Sequence, residues 1–382
     1  MYSLAGYGEM IADRVRIQAY SEALRRVIRP GSTVVDIGTG PGIMAVLACQ
    51  LGAGRVFAIE PDEIIQVARE VAAANRCADK IVFYENLSTQ VTLPGRADVM
   101  VSDMRGILPL FEQHIPAIVD ARQRFLAPGG AMVPQRDRMW AAVVEDREGY
   151  GGLVEIWEHN VLNHDLSPAR RRAANTFRKV RATPEQLLTK PKVWTTLDYA
   201  VIEKPDARGN LNWTVERAGT GHGVLVWFEA ELAEGVHFSN APGAPEAIYG
   251  SLFFPWTQPV SLAPGQEVCV SLEAKLLEDD YAWRWTSCIL PADGSGDSPV
   301  HFEQSQLQGA VLSMAKLHKQ ASDYVPHLSD EGLIHRRALE MMQGQASLEE
   351  IARQLAAEFP RRFATWHQAM SYAGNISRRY SE

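Results

Sequence analysis

The stretch Val34-Val35-Asp36-Ile37-Gly38-Thr39-Gly40-Pro41-Gly42 places a carboxylate and three glycines between an apolar run and a helical one. A strand that feeds a glycine turn opening a helix offers a ligand backbone amides and a helix N-terminus, because glycine lets the main chain come close. Glu60 stands twenty-four residues after Asp36, at the end of the next apolar run. A carboxylate there can accept both hydroxyls of a ribose. Dinucleotides, mononucleotides and S-adenosylmethionine all use such turns. The dinucleotide pattern is G-x-G-x-x-G, whereas here the glycines read G-x-G-x-G, and the Gly-Lys-Ser/Thr of a phosphate loop is missing. An adenosine ligand without phosphates fits better. The bland alternative is a tight strand–helix turn that holds nothing.

The elements that must position this turn are legible upstream of Pro134. Thr33–Ile37, Arg55–Ile59, Ile81–Tyr84 and Ala97–Val101 read as buried strands. Ile43–Leu51, Ile64–Asn75 and Ile115–Phe125 read as helices, the last stopped by Pro128-Gly129-Gly130. Strand–helix alternation at this spacing predicts a parallel, doubly wound sheet, with helices before Val34 as an N-terminal cap. After Pro134 the style changes: Arg138–Glu145 alternates like a strand, and Trp194–Val201, Gly223–Leu232, Val260–Leu262, Val268–Leu276 and Trp283–Leu290 follow, punctuated by Gly and Pro, which predicts an all-β second domain. Tyr281, Trp283 and Trp285 share one strand face and read as core. The polar stretch Asn163–Gln186, with Arg170-Arg171-Arg172, interrupts it as an insertion or arm; the arginine run reads first as a solvated face. Pro291–Pro299 is a turn-rich break. Three helical patterns close the chain over Glu331–Met342, Ser347–Phe359 and Phe363–Ala373, the second opened by the capping box Ser347-Leu348-Glu349-Glu350.

Composition narrows the class. At roughly 150 residues per domain, 382 residues predict two or three domains. Hydrophobic residues make up 46% and charged residues 22%, which excludes disorder as the dominant state. The net charge of −8 disfavours a polyanion partner. Four scattered cysteines (Cys49, Cys77, Cys269, Cys288) without a CxxC pair exclude a disulfide scaffold and argue against structural zinc. His159, His164, His222 and His237 show no metal-ligand spacing, so no metal is expected. The N-terminus lacks the apolar core of a secretory signal and no apolar run reaches ~18 residues, so the expectation is a cytoplasmic protein without membrane contact.

The glycine turn followed by Glu60 resembles motif I and the ribose-binding acid of class I S-adenosylmethionine-dependent methyltransferases. Over residues ~6–290 the chain resembles more specifically the protein arginine methyltransferases. The stretches that carry the likeness are Met10-Ile11-Ala12-Asp13-Arg14-Val15-Arg16 with Tyr20, Ala121–Gly130, Trp157-Glu158-His159-Asn160 and Phe254-Pro255-Trp256-Thr257-Gln258, in matching order and spacing. The resemblance implies a Rossmann-like domain (1–134) that binds S-adenosyl-L-methionine and a β-barrel substrate domain (135–300). It implies a dimerisation arm at about 163–186 and hence a homodimer. A helical C-terminal module (325–382) lies outside it.

Carried over by position, Arg16 holds the cofactor's carboxylate, Gly38 and Gly40 line its methionine portion beside Asp36, and Glu60 binds the ribose. Ser88 and Thr89 stand where the family reaches the adenine, without the family's Glu. The family's active-site loop carries two glutamates nine residues apart; here the matching positions are Asp103 and Glu112, also nine apart. Two carboxylates can clamp a guanidinium bidentately and orient one nitrogen toward a methyl group. Taken alone, Asp103 also reads as a strand-end acid capping the next turn, and Glu112 as a solvated helix-start acid.

Four departures stand out. The first Glu is a shorter Asp, the following aromatic is Met104, and Arg105 lies inside the loop. The family's Thr-His-Trp reads Phe254-Pro255-Trp256, so its histidine is gone. Arg105 can pair with Asp103 or Glu112 and fill the guanidinium position, or meet an anionic substrate. Met10 and Trp256 are the expected substrate contacts, Trp256 serving equally well as core. The tail from Val325 onward balances seven Lys/Arg against seven Asp/Glu, which fits an interaction or peptide-recognition module rather than a nucleic-acid helix. The leading expectation is therefore methyl transfer to a guanidino or other nitrogen of a peptide. The rivals are a small-molecule N- or O-methyltransferase and a non-catalytic cofactor-binding scaffold.

Overall fold

A computed structural model describes residues 3–159, 161–291 and 298–381. Asn160 and the greater part of the Pro291–Pro299 break lie outside them.

The N-terminal half is an α/β layer structure. Two helices, α1 (Leu4–Ala12) and α2 (Arg14–Val27), precede the parallel strands β1 (Thr33–Ile37), β2 (Arg55–Ile59), β3 (Ile81–Tyr84), β4 (Ala97–Ser102) and β5 (Leu126–Val133). The helices α3 (Ile43–Gln50), α4 (Ile65–Ala74) and α5 (His114–Phe125) connect them. The strand order is β3-β2-β1-β4-β5. Val34, Val35 and Ile37 of β1 are all buried, on both faces of the strand, which is why these runs read as continuous apolar stretches rather than alternating ones. Because β1 pairs with β2 on one side and β4 on the other, the chain reverses direction across the sheet at β1. Such a switch point opens a crevice at the carboxyl ends of the strands. The glycine turn follows β1 and the Asp103 loop follows β4 at that crevice.

One expected boundary moves. Helix α5 ends at Phe125, but Pro128-Gly129-Gly130 does not simply stop it. Those residues lie within β5, where the register against β4 shifts between Ala97 and Val99.

The second half is antiparallel. One sheet orders β7 (Arg178–Val180), β12 (Ser251–Leu262), β10 (Gly219–Ala233), β6 (Arg136–Val144) and β8 (Lys192–Asp198), with β11 (Val236–Ser239) on β10. The other orders β15 (Val300–Ser305), β14 (Asp280–Ile289), β13 (Glu267–Leu277) and β9 (Ala207–Thr214). Their inner faces meet on aromatic rings. Phe254 lies 5.1 Å from Trp283 and 5.2 Å from Trp285 between ring centres, and both tryptophans are buried with Tyr281, as expected of core. Strands β9, β11 and β15 escape the sequence reading, and β12 begins nine residues earlier than the expected Val260. Pro255 and Pro259 argue against a strand there. The structure accommodates Pro255 opposite Gly223, next to a register shift on β10.

The expected arm is only partly helical. Helix α6 (Arg147–Gly151) precedes it, α7 (Ser167–Ala173) lies within it, and Arg178–Val180 is an edge strand on β12. Residues 1–310 form one compact unit and residues 311–382 another. Within the second, Asp330–Gln343, Leu348–Glu358 and Trp366–Tyr380 are helices. They close on their own core of Ile334, Ala338, Ile351, Leu355, Phe363, Ala373 and Ile376. The capping box at Ser347 and Glu350 is formed.

Candidate active site

A cleft of about 590 Å³ opens over the switch point. Its floor is the glycine turn. Gly38, Gly40 and Gly42 have φ of +70°, +52° and +84°, a backbone region closed to most side chains. A Cβ on Gly38 would stand 2.6 Å from the Met104 side chain, and one on Gly40 3.0 Å from the Tyr7 ring. The turn is tied to β2: the Gly38 and Thr39 amides donate to the Ile59 carbonyl at 2.9 and 3.0 Å, and the Gly40 amide donates to Glu60 Oε2 at 2.9 Å. Glu60 Oε1 accepts from the Asp62 amide at 3.1 Å. Burial raises the Glu60 carboxyl above its ordinary range. Asp36 accepts from the Thr39 hydroxyl at 2.5 Å, and burial pushes it up to about 7.

The opposite wall comes from the N-terminal helices and the loop after β4. Asp13 caps α2, accepting from the Arg16 amide at 3.0 Å, and its second oxygen accepts from the Ile248 amide at 2.9 Å. That cap anchors α2 to the barrel and aims Arg16 into the cleft. Arg16 donates through Nε to Asp103 Oδ2 and through Nη1 to the Met10 carbonyl at 2.6 Å. Asp103 is fully engaged. Its Oδ1 accepts from Tyr20 at 2.9 Å and Tyr249 at 3.3 Å, and lies 3.3 Å from Arg105 Nε in an ion contact without hydrogen-bond geometry.

Arg105 continues the chain of charge. Its side chain is 0% exposed; Nη1 donates to Asp137 Oδ1 at 2.9 Å, and its guanidinium lies 5.1 and 5.4 Å from the ring centres of Phe228 and Phe238. Asp137 Oδ2 accepts from Tyr199 at 2.5 Å, and the Tyr199 hydroxyl is 3.2 Å from His114 Nε2. Buried charges alternate in sign, Arg16–Asp103–Arg105–Asp137, from the cleft wall into the junction with the barrel. Burial, with Arg105 nearby, lowers His114 to about 3, so it is neutral around pH 7.

Of the residues singled out from the sequence, Met10, Arg16, Asp36, Gly38, Gly40, Glu60, Ser88, Asp103, Arg105 and Glu112 all line this cleft. Thr89 is exposed and does not line it. Trp256 is elsewhere: it is fully buried in the barrel, its indole donates to Ser287 Oγ at 2.9 Å, and its ring lies 5.6 Å from Phe302. The substrate contact expected of Trp256 is therefore corrected to a core role. The barrel reaches the cleft through Tyr249 instead. Arg105 contributes to the wall, but its charge is directed at Asp137 and Asp103; neither Glu112 nor an open anion site receives it. Glu112 is exposed and holds φ +41°, a left-handed backbone unusual for a non-glycine residue and of the kind stored at functional sites.

Sequence reasoning missed Tyr7, Asp137, Tyr199 and Tyr249. For Asp137 a signal existed: an acid at an inward position of an alternating strand is rare unless paired. Among the described residues, no group of three or more His, Cys, Asp or Glu is arranged to hold a metal, and no helix is long and apolar enough to cross a membrane.

Two family models match the chain. The one described as ribosomal protein L11 methyltransferase covers residues 18–145, and the arginine methyltransferase oligomerization subdomain covers 135–284. A probable protein arginine N-methyltransferase 6 from Arabidopsis thaliana is 30% identical over 236 residues, 59% of this chain and 54% of that one. A probable histone-arginine methyltransferase CARM1 from Oryza sativa subsp. indica is 30% identical over 276 residues, 68% and 52%. The chain thus spans about half the length of these curated relatives. The Trypanosoma brucei PRMT1 enzyme–prozyme heterotetrameric complex, solved with AdoHcy, superposes with a TM-score of 0.72 at 18% identity, covering 78% of this chain and 97% of that one.

Asp137→Ala leaves Arg105 buried without its best partner and is expected to cost about 3–5 kcal/mol, whereas Arg105→Met with Asp137→Ala recovers most of that; urea unfolding of the three proteins measures it. His114 carries a second expectation. Its folded pKa lies below the unfolded value, so its contribution to stability is complete above about pH 6.5 and is lost as pH falls toward 3. Asp36, raised by burial, acts in the opposite sense, losing stability as pH rises toward 7. His114→Gln should flatten the acid limb of a plot of Tm against pH and leave the limb above pH 6.5 unchanged.

Proposed function

We propose that this chain, arginine-methyltransferase-like in sequence and fold, is an S-adenosylmethionine-dependent methyltransferase that acts on a guanidino or other nitrogen of a peptide or protein. The observation that carries this reading is one cleft in which the glycine turn and Glu60 lie opposite Asp103 and Glu112. A ligand-binding floor and an acid open to a nitrogen acceptor, Glu112, share that cleft, with Asp103 bracing its wall.

The floor fits an adenosine ligand without phosphates. Positive-φ glycines bring bare backbone to the cleft, and Glu60 follows β2 where a ribose can meet it. No lysine stands in the turn to meet a phosphate. Arg16 would hold the ligand's carboxylate, Gly38 and Gly40 its methionine portion beside Asp36, and Ser88 with Leu87 the adenine side. The relative solved with AdoHcy supports the same ligand class. Bound there, the group supplies an electrophilic methyl on sulfonium. This chain's residues then do the positioning: Met10, Tyr249 and Glu112 orient the acceptor in the cleft that Met104 and Phe111 also line.

Partner contacts follow from the arm. Ile156, Trp157, Val161 and Leu162 are exposed together beside it, and the oligomerization-subdomain match covers this segment. These residues would seat on a second copy of the chain, giving a homodimer.

Calorimetric titration with S-adenosylmethionine and its demethylated product tests the core of the reading. The expected result is micromolar binding that Glu60→Ala weakens at least tenfold, with Glu112→Gln binding the donor but not turning over. A wild-type protein that binds neither ligand would sink the reading and leave a scaffold. For assembly, analytical ultracentrifugation should show a dimer that Leu162→Asp converts to monomer; a monomeric wild type at tens of micromolar would count against the arm contact.

A further inference from the structure

Asp103 serves two internal guanidinium groups. Arg16 engages one oxygen and Arg105 lies 3.3 Å from the other, which also accepts from Tyr20 and Tyr249. Arg105 cannot swing away to make room, since its side chain is 0% exposed, paired with Asp137 and held against Phe228 and Phe238. A substrate guanidinium at Asp103 would be a third cation around one carboxylate, in a buried setting where like charges repel strongly. The other acids of the cleft, Asp36, Glu60 and Asp62, sit at the glycine floor: Asp36 accepts from Thr39, Glu60 accepts from Gly40 and from the amide of Asp62, and Asp62 follows Glu60 at that ribose end. Among the described residues lining the cleft, this leaves Glu112 as the acid open to an acceptor.

One carboxylate is too few for a guanidinium. With a pKa above about 12 that group stays protonated, and its attacking nitrogen gains a usable lone pair only when the charge is localised on the other nitrogens, the task of a second acid. A lysine ammonium has no lone pair until it loses a proton, near pH 10. An imidazole has a pKa of about 6.5, is mostly neutral at pH 7, and carries a lone pair on one ring nitrogen and an N–H on the other. A single acid matches it: the N–H donates to the carboxylate, which fixes the tautomer and turns the lone pair the other way. Its flat ring suits the Met104, Phe111 and Tyr249 side chains that line the same cleft as Glu112.

We infer that the acceptor is a neutral histidine imidazole of a peptide, oriented by Glu112, and not a guanidinium. The inference rests on the methyltransferase reading above. In the step, the ring nitrogen's lone pair forms the new N–C bond as the C–S bond of the donor breaks, with its electron pair staying on sulfur as a thioether. The positive charge passes to the ring, whose N–H proton leaves past Glu112 to solvent, giving a neutral N-methylimidazole.

Three peptide pools of matched composition test this with the full-length protein and methyl-labelled S-adenosylmethionine: one with histidine and no arginine, one with arginine and no histidine, one with neither. The expected result is label in the first pool alone, placed on a ring nitrogen by tandem mass spectrometry and lost in Glu112→Gln. A binding measurement independent of turnover accompanies it. With S-adenosylhomocysteine present, N-acetyl-histidine amide should bind at least tenfold tighter than N-acetyl-arginine amide, and Glu112→Gln should erase the difference. Label confined to the arginine pool, or tighter binding of the arginine amide, overturns the inference while the methyltransferase reading stands. Label in none of the pools overturns both.

Discussion

The site depends on a row of largely buried charges that runs from the cleft wall into the core. Arg16, Asp103, Arg105 and Asp137 alternate in sign, with Asp103 at most 8% exposed through its side chain and Arg105 and Asp137 fully covered. Each member is tolerable only because the next one is there; an unpaired charge at this depth would cost several kcal/mol. The row begins on α2, passes through the loop after β4 and ends on β6, so it ties the parallel sheet to the antiparallel one at the place where the cleft forms. Tyr20, Tyr249 and Tyr199 fill the remaining acceptor positions. Asp103, although it lines the cleft, is thereby taken up by structural contacts.

The glycine floor obeys a different constraint. Topology puts the crevice at β1, where strand order reverses, and backbone geometry then decides which residues can line it. Positive φ at Gly38, Gly40 and Gly42 turns the chain sharply from β1 into α3, and Glu60 braces the turn from the neighbouring strand. Floor and wall are thus built from different physics: the floor from backbone conformation, the wall from paired charge. A substitution in one need not disturb the other.

That difference also explains what could be read from the sequence. The floor is local. Asp36, the glycines and Glu60 lie within one strand–turn–helix–strand segment, so spacing alone placed them in a single cleft. The first four strands of the parallel sheet were legible for a related reason: buried on both faces, they appear as unbroken apolar runs. The wall is not local. Arg105 and Asp137 are 32 positions apart and are brought together only by the packing of two sheets. Each looks odd alone, a cation in an active-site loop and an acid facing inward from a strand, and nothing in the linear order says that each explains the other. Trp256 failed for the converse reason. Its neighbourhood matched a family motif, but prolines hid the strand that carries it into the core, and Tyr249, seven residues earlier, supplies the side chain that reaches the cleft.

Family likeness and local chemistry therefore answer different questions here. The likeness accounts for the layers, the switch point and the glycine turn, features that many acceptor chemistries can share on one scaffold. The wall of the cleft is where the chain departs from the family pattern, with a shorter acid at Asp103 and a buried arginine at Arg105, and Asp137 on β6 makes that arginine stable. These changes are coupled. Arg105 without Asp137 would be a buried unpaired cation, and Asp137 without Arg105 a buried unpaired acid. The two charges stand or fall together, and between them they place positive charge next to Asp103. Electrostatics at that point favours a neutral nucleophile over a charged one, whatever the scaffold's relatives accept.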